Sequence, residues 1–278
     1  MNRRAFIASA LGVSSAVSAF GYTKFIEPEW LKFHQVECKL FHEPLGDPIR
    51  LLHLSDVHAS PAVPKRLIER AIDIGLAAKP DLACITGDFI TDGDPFEVAW
   101  LERQLRRVSG AAPSFATLGN HDGGPWAHRW GGLPTSKAIA KLVTASGMNL
   151  LHNKNVEFRA KGRTFELVGL GDLWADEFKP AAAFPAPSSV QKIVLSHNPD
   201  TKDLLADYEW DLMLSGHTHG GQLSLPLVGT PFAPVRDHRY VEGLKPWNNR
   251  QIHVTTGVGS LLGVRFNCRP EVSLLLLR

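Results

Sequence analysis

Five short polar strings in this sequence each follow an apolar segment with the composition of a β-strand. The strings are Asp56-Val57-His58, Gly87-Asp88, Gly119-Asn120-His121-Asp122, Ser196-His197-Asn198 and Gly216-His217-Thr218-His219-Gly220. In an open α/β sheet, the loops beyond the carboxyl ends of the strands converge on one crevice. Every string contributes Asp, Asn or His, which are oxygen and nitrogen ligands suited to divalent metal ions. The sequence therefore predicts an α/β fold in which these strings meet at a metal site.

The remaining pattern alternates strand and helix in the first half, and β-structure dominates the end. Amphipathic spacing predicts helices at residues 63–78, 95–108 and 136–146. Apolar runs predict strands at residues 49–55, 81–86, 114–118, 148–151, 165–170, 192–196, 211–215, 251–256 and 272–277. This order favours a layered α/β fold with one mixed sheet or two stacked sheets.

The spacing within the strings adds chemical detail. In Asp56-x-His58, the twofold side-chain alternation of a strand points one carboxylate and one imidazole the same way, so both can bind one ion. His217-x-His219 permits the same arrangement, although a loop there could direct the two rings to two ions. Any one of these histidines alone would more often be a hydrogen-bonded turn or core residue. Five such strings, each after a strand, favour a metal site jointly.

The charge and cysteine content limit the kinds of ligand and partner that the chain is expected to bind. The 278 residues carry a formal net charge of only +2, which gives no electrostatic case for specific nucleic-acid binding. The three cysteines, Cys38, Cys84 and Cys268, have no zinc-site spacing. Cys84 lies in an apolar run and is expected to pack as a small hydrophobic residue. Whether Cys38 and Cys268 form a disulfide stays open.

The N-terminus has the pattern of a targeting segment. Arg3 and Arg4 precede an apolar stretch over residues 5–20, and the start resembles a twin-arginine export signal. The weak cleavage site at residues 17–19 leaves room for the segment to remain as a membrane anchor. We therefore predict an export signal or membrane anchor over residues 1–33 and a folded catalytic domain over 34–278. The expected location is the outer, periplasmic side of the cell membrane, with the cytoplasmic face of the inner membrane as the alternative.

The order D-x-H, G-D, G-N-H-D, H and G-H-x-H resembles the calcineurin-like metallophosphoesterases over nearly the whole chain after the signal. Further strings resemble the YaeI/YkuE type of bacterial phosphodiesterases within that family. They are Gly169-Leu170-Gly171-Asp172-Leu173-Trp174, His197-Asn198-Pro199-Asp200 and Gly257-Val258-Gly259. The resemblance implies a four-layer αββα sandwich, in which two mixed β-sheets are flanked by helices.

The resemblance also implies a ligand set for two divalent ions. Because the set mixes oxygen and nitrogen ligands, we expect manganese, with iron or zinc as alternatives. The first ion would be bound by Asp56, His58 and His219, the second by Asn120, His197 and His217, and both by Asp88. A bridging carboxylate is physically sensible because two cations about 3.5–4 Å apart repel each other.

The resemblance also suggests roles for residues outside the ligand set. In the family, the histidine at position 121 faces the substrate and stabilises or protonates the leaving group. Asp122 is expected to orient the His121 ring, with a simple turn carboxylate as the alternative. Arg265 is a candidate phosphate contact, with surface charge as the alternative, and Arg269 is expected to be surface charge. Thr91 stands where purple acid phosphatases have a Tyr ligand, which disfavours a purple iron site.

The predicted activity is hydrolysis of a phosphodiester or pyrophosphate by a water or hydroxide that bridges the two metals. The expected substrate is an envelope or lipid-linked phosphodiester, with membrane association through the N-terminus. One alternative is a UDP-diacylglucosamine pyrophosphatase of lipid A synthesis. Another is a non-catalytic, metal-bound binding protein at the membrane, and a nuclease is less favoured.

Overall fold

Two six-stranded β-sheets form the centre of the computed structural model, which describes residues 18–41, 46–91, 95–184 and 186–278. The strands are β1 Lys32–Cys38, β2 Ile49–Leu54, β3 Leu82–Thr86, β4 Ser114–Thr117, β5 Asn149–Leu150, β6 Lys154–Ala160, β7 Arg163–Gly169, β8 Lys192–Leu195, β9 Leu212–Ser215, β10 Gly243–Trp247, β11 Arg250–Val254 and β12 Glu271–Leu277. The α-helices are α1 Lys65–Ala77, α2 Pro95–Ala111, α3 Pro125–Arg129, α4 Lys137–Ala145, α5 Pro180–Ala183 and α6 Thr201–Leu204.

Both sheets are mixed. The first has the order β1-β12-β2-β3-β4-β5, and the second has the order β10-β11-β9-β8-β7-β6. In the first sheet, β2 to β5 run parallel, while β12 is antiparallel to β2 and parallel to β1. In the second sheet, β11, β9, β8 and β7 run parallel, and β10 and β6 are antiparallel at its edges. The parallel strands therefore direct their carboxyl ends to one side of each sheet.

Alternating side chains divide the core into layers. Leu52 of β2 lies on the outer face of the first sheet and packs in the layer that contains apolar residues of α1, α2 and α4. Leu51, its neighbour in the chain, packs between the sheets against residues such as Leu167 of β7. On the outer face of the second sheet, Val168 packs with Trp210 and the short helices. This arrangement confirms the predicted four-layer αββα sandwich.

Three strands are absent from the sequence-based prediction: β1, β6 and β10. Each lies at an edge of a sheet or carries many polar residues, so its hydrophobic signal is weak. β1 begins at Lys32, slightly before the predicted domain boundary at residues 33/34.

The segment that precedes β1 packs on the domain. Lys24 donates through Nζ to the Leu262 carbonyl at 2.6 Å, and the Arg265 amide donates to the Thr23 carbonyl at 3.0 Å. Arg269 was expected to be surface charge, but it donates to the Trp30 carbonyl at 2.8 Å and lies over the Trp30 ring. The twin-arginine pair and most of the predicted anchor lie outside the described residues. Within the described residues, no helix combines the length and apolar character needed to cross a membrane.

The three cysteines are free and buried. Cys84 packs in the apolar layer between the sheets, as predicted, and Cys38 lies in the same layer. Cys268 lies instead beside Arg265, whose Nη1 is 3.6 Å from its sulfur. The structure therefore contains no Cys38–Cys268 disulfide.

Candidate metal centre

Seven polar side chains extend from loops at the carboxyl ends of strands in both sheets. They are Asp56 and His58 after β2, Asp88 after β3, Asn120 after β4, His197 after β8, and His217 and His219 after β9. Each of the seven residues is at most 4% exposed. The structure brings six of the seven proposed ligands into two groups that share Asp88. The seventh, Asn120, lines the same cavity as Asp88 and His217.

One group of ligand atoms surrounds His219. Its Nε2 lies 3.1 Å from His58 Nε2 and 3.4 Å from Asp56 Oδ1. The Asp88 carboxylate closes this group, with Oδ2 at 3.5 Å from His58 Nε2. Asp56, His58, Asp88 and His219 thus each offer an atom to the same small volume.

A second group of ligand atoms surrounds His197. Its Nε2 lies 3.1 Å from Asp88 Oδ2 and 3.2 Å from His217 Nδ1. The Oδ1 atom of Asn120 is buried and has no hydrogen-bond partner among the described residues. One oxygen, Asp88 Oδ2, therefore lies next to both groups, which is the position that a bridging carboxylate must occupy.

The spacing of these atoms fits a pair of divalent ions. Ligand atoms bound about 2.1 Å from one ion are separated by about 3.0 Å at right angles and about 3.4 Å at tetrahedral angles. The separations within the two groups, 3.1–3.5 Å, fall in or close to this range. The unpartnered Asn120 oxygen also fits a ligand role, because a buried carbonyl oxygen without a partner is otherwise costly.

The protonation of the histidines supports the same arrangement. Burial lowers the pKa of His58 to about 3 and lowers the pKa values of His217 and His219 well below the ordinary value. These rings are therefore neutral and have a lone pair for a metal. Burial also opposes a charge on His197, but Asp88 outweighs it and raises the pKa of His197 well above its ordinary value. Without a metal, His197 and Asp88 form a buried ion pair.

The backbone at the site is strained to place these side chains. Asp56, His58, Asp88, His217 and His219 all have φ between 47° and 67°, in the left-handed region that residues with a Cβ seldom adopt. Such conformations each cost of order 1–3 kcal/mol and cluster at functional sites.

Two glycines make the close approach of the loops feasible. A Cβ at Gly119 would collide with the Asp88 carboxylate, and a Cβ at Gly216 would collide with Asp56. The glycines that precede Asn120 and His217 therefore leave room for the two carboxylates.

Backbone and hydroxyl groups orient the ligands from outside. His197 Nδ1 donates to the Thr86 carbonyl at 2.6 Å, which leaves Nε2 as the ligand atom. His58 Nδ1 lies 3.0 Å from Thr91 Oγ1, and Asp56 accepts from the His217 amide at 3.0 Å. Sequence reasoning missed the orienting roles of Thr86 and Thr91. Their positions at the end of β3 and shortly after Asp88 are the only sequence signal for them.

His121 lies beside the two groups and is half-buried. Its amide donates to Asp88 Oδ1 at 2.9 Å, and its ring makes an edge contact with the His58 ring at 4.8 Å between centroids. Its Nδ1 lies 3.4 Å from the carbonyl oxygen of Thr91. The Thr91 carbonyl is therefore the group placed to orient the ring.

The partners of Asp122 match the alternative role of a turn carboxylate and do not include the His121 ring. Its carboxylate accepts the amide N–H groups of Asp88, Phe89 and Gly119 at 2.8–2.9 Å and that of Ile90 at 3.3 Å. Burial, together with the charge of Asp88, raises the pKa of Asp122 to about 8, while the N–H donors favour its ionised form. Asp122 therefore connects the loop that carries Asp88 to the loop that carries Asn120, and Asp122 influences His121 through the backbone.

Arg265 also differs from the prediction. It is fully buried, and its guanidinium donates to the carbonyls of Thr256 at 2.7 Å, Gly259 at 2.5 Å and Cys268 at 3.1 Å. Longer contacts reach the carbonyls of Gly257 and His219, at 3.3 and 3.4 Å. Its polar atoms therefore hold the loops behind the site together, and it does not line the cavity described next.

A cavity of about 460 Å³ opens directly onto the candidate metal centre. Asp88, Asn120, His121, His217 and His219 form its polar end. Its other walls are mainly apolar and include Trp126, Trp174, Leu223, Phe232, Leu262 and Val264. Sequence reasoning missed the two tryptophans, although Trp174 ends one of the strings that carried the family resemblance.

Trp174 is held over the site by Asp172. The Asp172 carboxylate accepts the amides of Trp174 at 2.7 Å and Ala175 at 2.9 Å. The Trp174 ring contacts His217 edge-on, with 4.4 Å between centroids, and Trp126 at 5.7 Å. An aromatic wall therefore stands beside one of the candidate ligands.

Residues 49–221 match the family described as Calcineurin-like phosphoesterase. The chain is 41% identical to the phosphodiesterase YaeI of Escherichia coli strain K12, over 99% of this chain and 98% of that protein. It is 29% identical to the metallophosphoesterase YkuE of Bacillus subtilis strain 168, over 100% and 98%. It is 26% identical to the UDP-2,3-diacylglucosamine pyrophosphatase LpxG of Chlamydia muridarum, over 97% of each chain.

Among solved structures, the NAD nucleotidase of Haemophilus influenzae aligns with a TM-score of 0.48 at 14% identity. The alignment covers 76% of this chain and 46% of that one, so this chain spans about half of that structure. The family match and the full-length similarity to YaeI confirm the resemblance noted in the sequence and the expected enzyme class. The chain belongs to the calcineurin-like phosphoesterase family and is a metal-dependent phosphoester hydrolase.

Proposed function

We propose that this enzyme hydrolyses a phosphodiester or pyrophosphate whose organic part is a lipid or another amphiphilic group. The observation that carries the proposal is the cavity, which joins the polar metal-ligand atoms directly to mainly apolar walls. A phosphate group suits the polar end, and an acyl chain or another apolar group suits the walls. A small, fully polar phosphoester would leave those walls without a partner.

In this proposal, Asp56, His58 and His219 hold one divalent ion, and Asn120, His197 and His217 hold the other. Asp88, which belongs to both groups of ligand atoms, would bind both ions. When bound, such a pair of ions lowers the pKa of water and offsets the negative charge of the phosphoryl group. Manganese is our first choice, with iron or zinc as alternatives, because the ligands mix carboxylate and amide oxygens with imidazole nitrogens.

His121 is the proposed proton donor to the leaving oxygen. It lines the cavity, and the Thr91 carbonyl is placed to keep the proton of Nδ1 in place. The Nε2 atom then remains as the atom that can hold a proton and give it to the substrate. Asp122 supports this role through the loop that carries Asn120 and His121.

A pyrophosphatase that acts on UDP-diacylglucosamine is a second candidate. The similarity to LpxG proteins and the apolar walls both favour it. A non-catalytic, metal-bound binding protein is less favoured, since all seven candidate ligands are present and converge.

Membrane contact is the proposed route by which an amphiphilic substrate reaches the cavity. Two residues of the cavity wall, Phe232 and Leu262, are 66% and 79% exposed. Lys24 binds the Leu262 carbonyl, and its neighbour Phe25 is 68% exposed. The apolar rim thus continues into the described part of the predicted anchor segment, at Lys24 and Phe25. We propose that this side faces the membrane, on the outer side after twin-arginine export or, alternatively, on the cytoplasmic side.

The substrate class can be tested with two tryptophan variants. Trp174→Ala removes a cavity wall, whereas Trp130→Ala removes a ring that also neighbours Trp126 but is 73% exposed and does not line the cavity. Losing the burial of one large aromatic ring corresponds to about 10–100-fold in affinity. We expect Trp174→Ala to raise KM by that factor for a lipid-linked diphosphate and much less for bis-p-nitrophenyl phosphate. Trp130→Ala should change neither value.

Equal changes of KM for the two substrates in Trp174→Ala would contradict the amphiphilic substrate. Absence of hydrolysis of either substrate after manganese reconstitution would favour the binding protein instead.

The proposed location can be tested with a reporter fused after Phe33. The reporter should lose its position on the outer side of the membrane when Arg3 and Arg4 are both replaced by Lys. An unchanged position would end the export proposal.

A further inference from the structure

A separate set of metal-type ligands lies between the two sheets and shares no residue with the candidate metal centre. His34 of β1 and Glu271 of β12 belong to the first sheet, and His253 of β11 belongs to the second. The three side chains each offer a ligand atom, and these atoms lie within 4.8 Å of one another. The set therefore joins the two sheets.

His253 contributes a ring nitrogen that lacks a partner within the described part of the chain. The residue is fully buried, and its Nδ1 lies 2.9 Å from Nδ1 of His53, whose Nε2 lies 2.9 Å from Thr86 Oγ1. Its Nε2 is buried without a hydrogen-bond partner among the described residues. If His253 donates from Nδ1 to His53, its Nε2 keeps a lone pair, which is the tautomer that a metal ligand requires.

Glu271 supplies the anionic ligand. Its Oε1 accepts from Ser273 Oγ at 2.5 Å and lies 3.3 Å from His34 Nδ1. The hydroxyl of Ser273 donates to this carboxylate, and such a donor favours the ionised form. The carboxylate is therefore ionised, and the 3.3 Å separation matches two ligands of one tetrahedral ion, which are about 3.4 Å apart.

We propose that His34, His253 and Glu271 bind a third divalent ion of the zinc type, which ties β1 and β12 to the second sheet. Two imidazoles and one carboxylate form a common protein ligand set for zinc, with a water as the fourth ligand. The His34 side chain is 30% exposed, which leaves a route for the ion and that water. Lys32 lies 3.3 Å from Glu271 Oε2, but its side chain is 45% exposed and is free to turn into solvent.

Outer contacts of the kind that accompany zinc ligands are present. Ser273 orients the Glu271 carboxylate, and His53 orients the His253 ring. Removal of such a contact typically weakens metal binding about 10–100-fold. The competing explanation is a hydrogen-bonded polar network without a metal, in which His253 Nε2 simply stays unpartnered.

The two explanations differ in zinc stoichiometry. The test uses the full chain with Asp88→Asn, a substitution that weakens metal binding at the candidate active centre. This variant is stripped of metal and titrated with Zn²⁺ in competition with a chromophoric chelator. We expect one tight zinc ion in this variant and none after His34→Ala is added. His152→Ala is the matched control, because His152 also lies beside a carboxylate, Glu177, at 3.7 Å, and its side chain is 31% exposed. It should leave the zinc ion in place.

Ser273→Ala gives an intermediate test, since the affinity for this ion should fall about 10–100-fold without loss of all binding. Circular dichroism checks that each variant folds, and His34 is preferred to the fully buried His253 for this reason. Equal zinc binding with and without His34, in folded protein, would overturn the proposal. Loss of the ion in His152→Ala would equally overturn it, since binding would then not be specific to this set.

Discussion

Replacement of Arg265 by Met separates the structural role of this residue from the role in substrate binding that its sequence position suggested. Met fills much of the same volume but donates no hydrogen bond. The variant therefore leaves five backbone carbonyls without the guanidinium, three of which are bonded at 3.1 Å or less. The carbonyls belong to the loops around residues 256–259, 268 and 219, which lie directly behind the candidate metal centre.

The magnitude follows from these bonds. Each hydrogen bond to a charged group contributes roughly 1.5–3 kcal/mol, and part of this is offset because the guanidinium no longer has to be dehydrated. We expect a net loss of about 3–5 kcal/mol in the free energy of unfolding, as when one member of a buried charged contact is removed. For a protein of this size, that corresponds to a fall in Tm of roughly 6–20 °C.

Thermal unfolding followed by circular dichroism measures this fall, and steady-state hydrolysis of bis-p-nitrophenyl phosphate well below Tm measures KM. Arg269→Met is the control, because Arg269 also donates to two carbonyls, of Trp30 and Leu31, but is only half-buried. It should lower Tm by about 1–2 °C at most, because its bonds are partly exposed and water can replace them. If Arg265→Met instead left Tm within about 2 °C of wild type and raised KM tenfold, the structural assignment would be refuted and Arg265 would be a substrate contact.

Three further predictions concern the centre and the inter-sheet cluster. Asp88→Asn should nearly abolish turnover and release both active-centre ions while the circular dichroism spectrum is retained; near wild-type kcat at saturating manganese would exclude the bridging role. His121→Ala should keep both ions but lose about 10²–10⁴-fold in kcat for esters with poor leaving groups, and less for p-nitrophenol esters; equal losses for both classes would indicate binding instead. The pKa of Glu271 lies at about 2 in the folded protein, against an ordinary value of 4.5. Its ionised form therefore contributes roughly 3 kcal/mol to the free energy of unfolding above about pH 4.5, and this contribution is lost as pH falls toward 2. Urea unfolding of metal-free protein should therefore show a shallower loss of stability below pH 4.5 in Glu271→Gln, and a slope equal to wild type would contradict this.

Local patterns in the sequence predicted a layered α/β fold and the convergence of the polar strings, and the family resemblance supplied the four-layer sandwich and the ligand set. A strand followed by a short polar string is visible in the chain, and parallel strands direct such strings to one edge. The converging positions of Asp88 and His197 therefore followed from order and spacing, although their roles as ligands stay predictions until metal is measured.

Features that depend on burial in three dimensions were not predictable in the same way. An arginine at position 265 suggests, from the sequence alone, a surface or substrate-binding residue. Its charge becomes buried only because three loops fold around it. Asp122 stands next to His121 in the chain, but its carboxylate turns away to the amides of the neighbouring loop. The edge strand β1 was missed because its exposed residues hide the alternation, and His34 consequently had no predicted partner.

The position of β12 constrains when the protein can fold during synthesis. This strand lies between β1 and β2, yet it begins at residue 271, whereas β2 ends at residue 54. Among the described strands, β1 pairs only with β12, so β1 has no partner during synthesis until residues 271–277 have left the ribosome. Contacts so distant in sequence form slowly, and an unpaired edge strand is prone to associate with other chains. Production of this enzyme should therefore depend on chaperones that shield nascent chains. Slower translation should not help, because the first sheet cannot be completed before β12 has been synthesised.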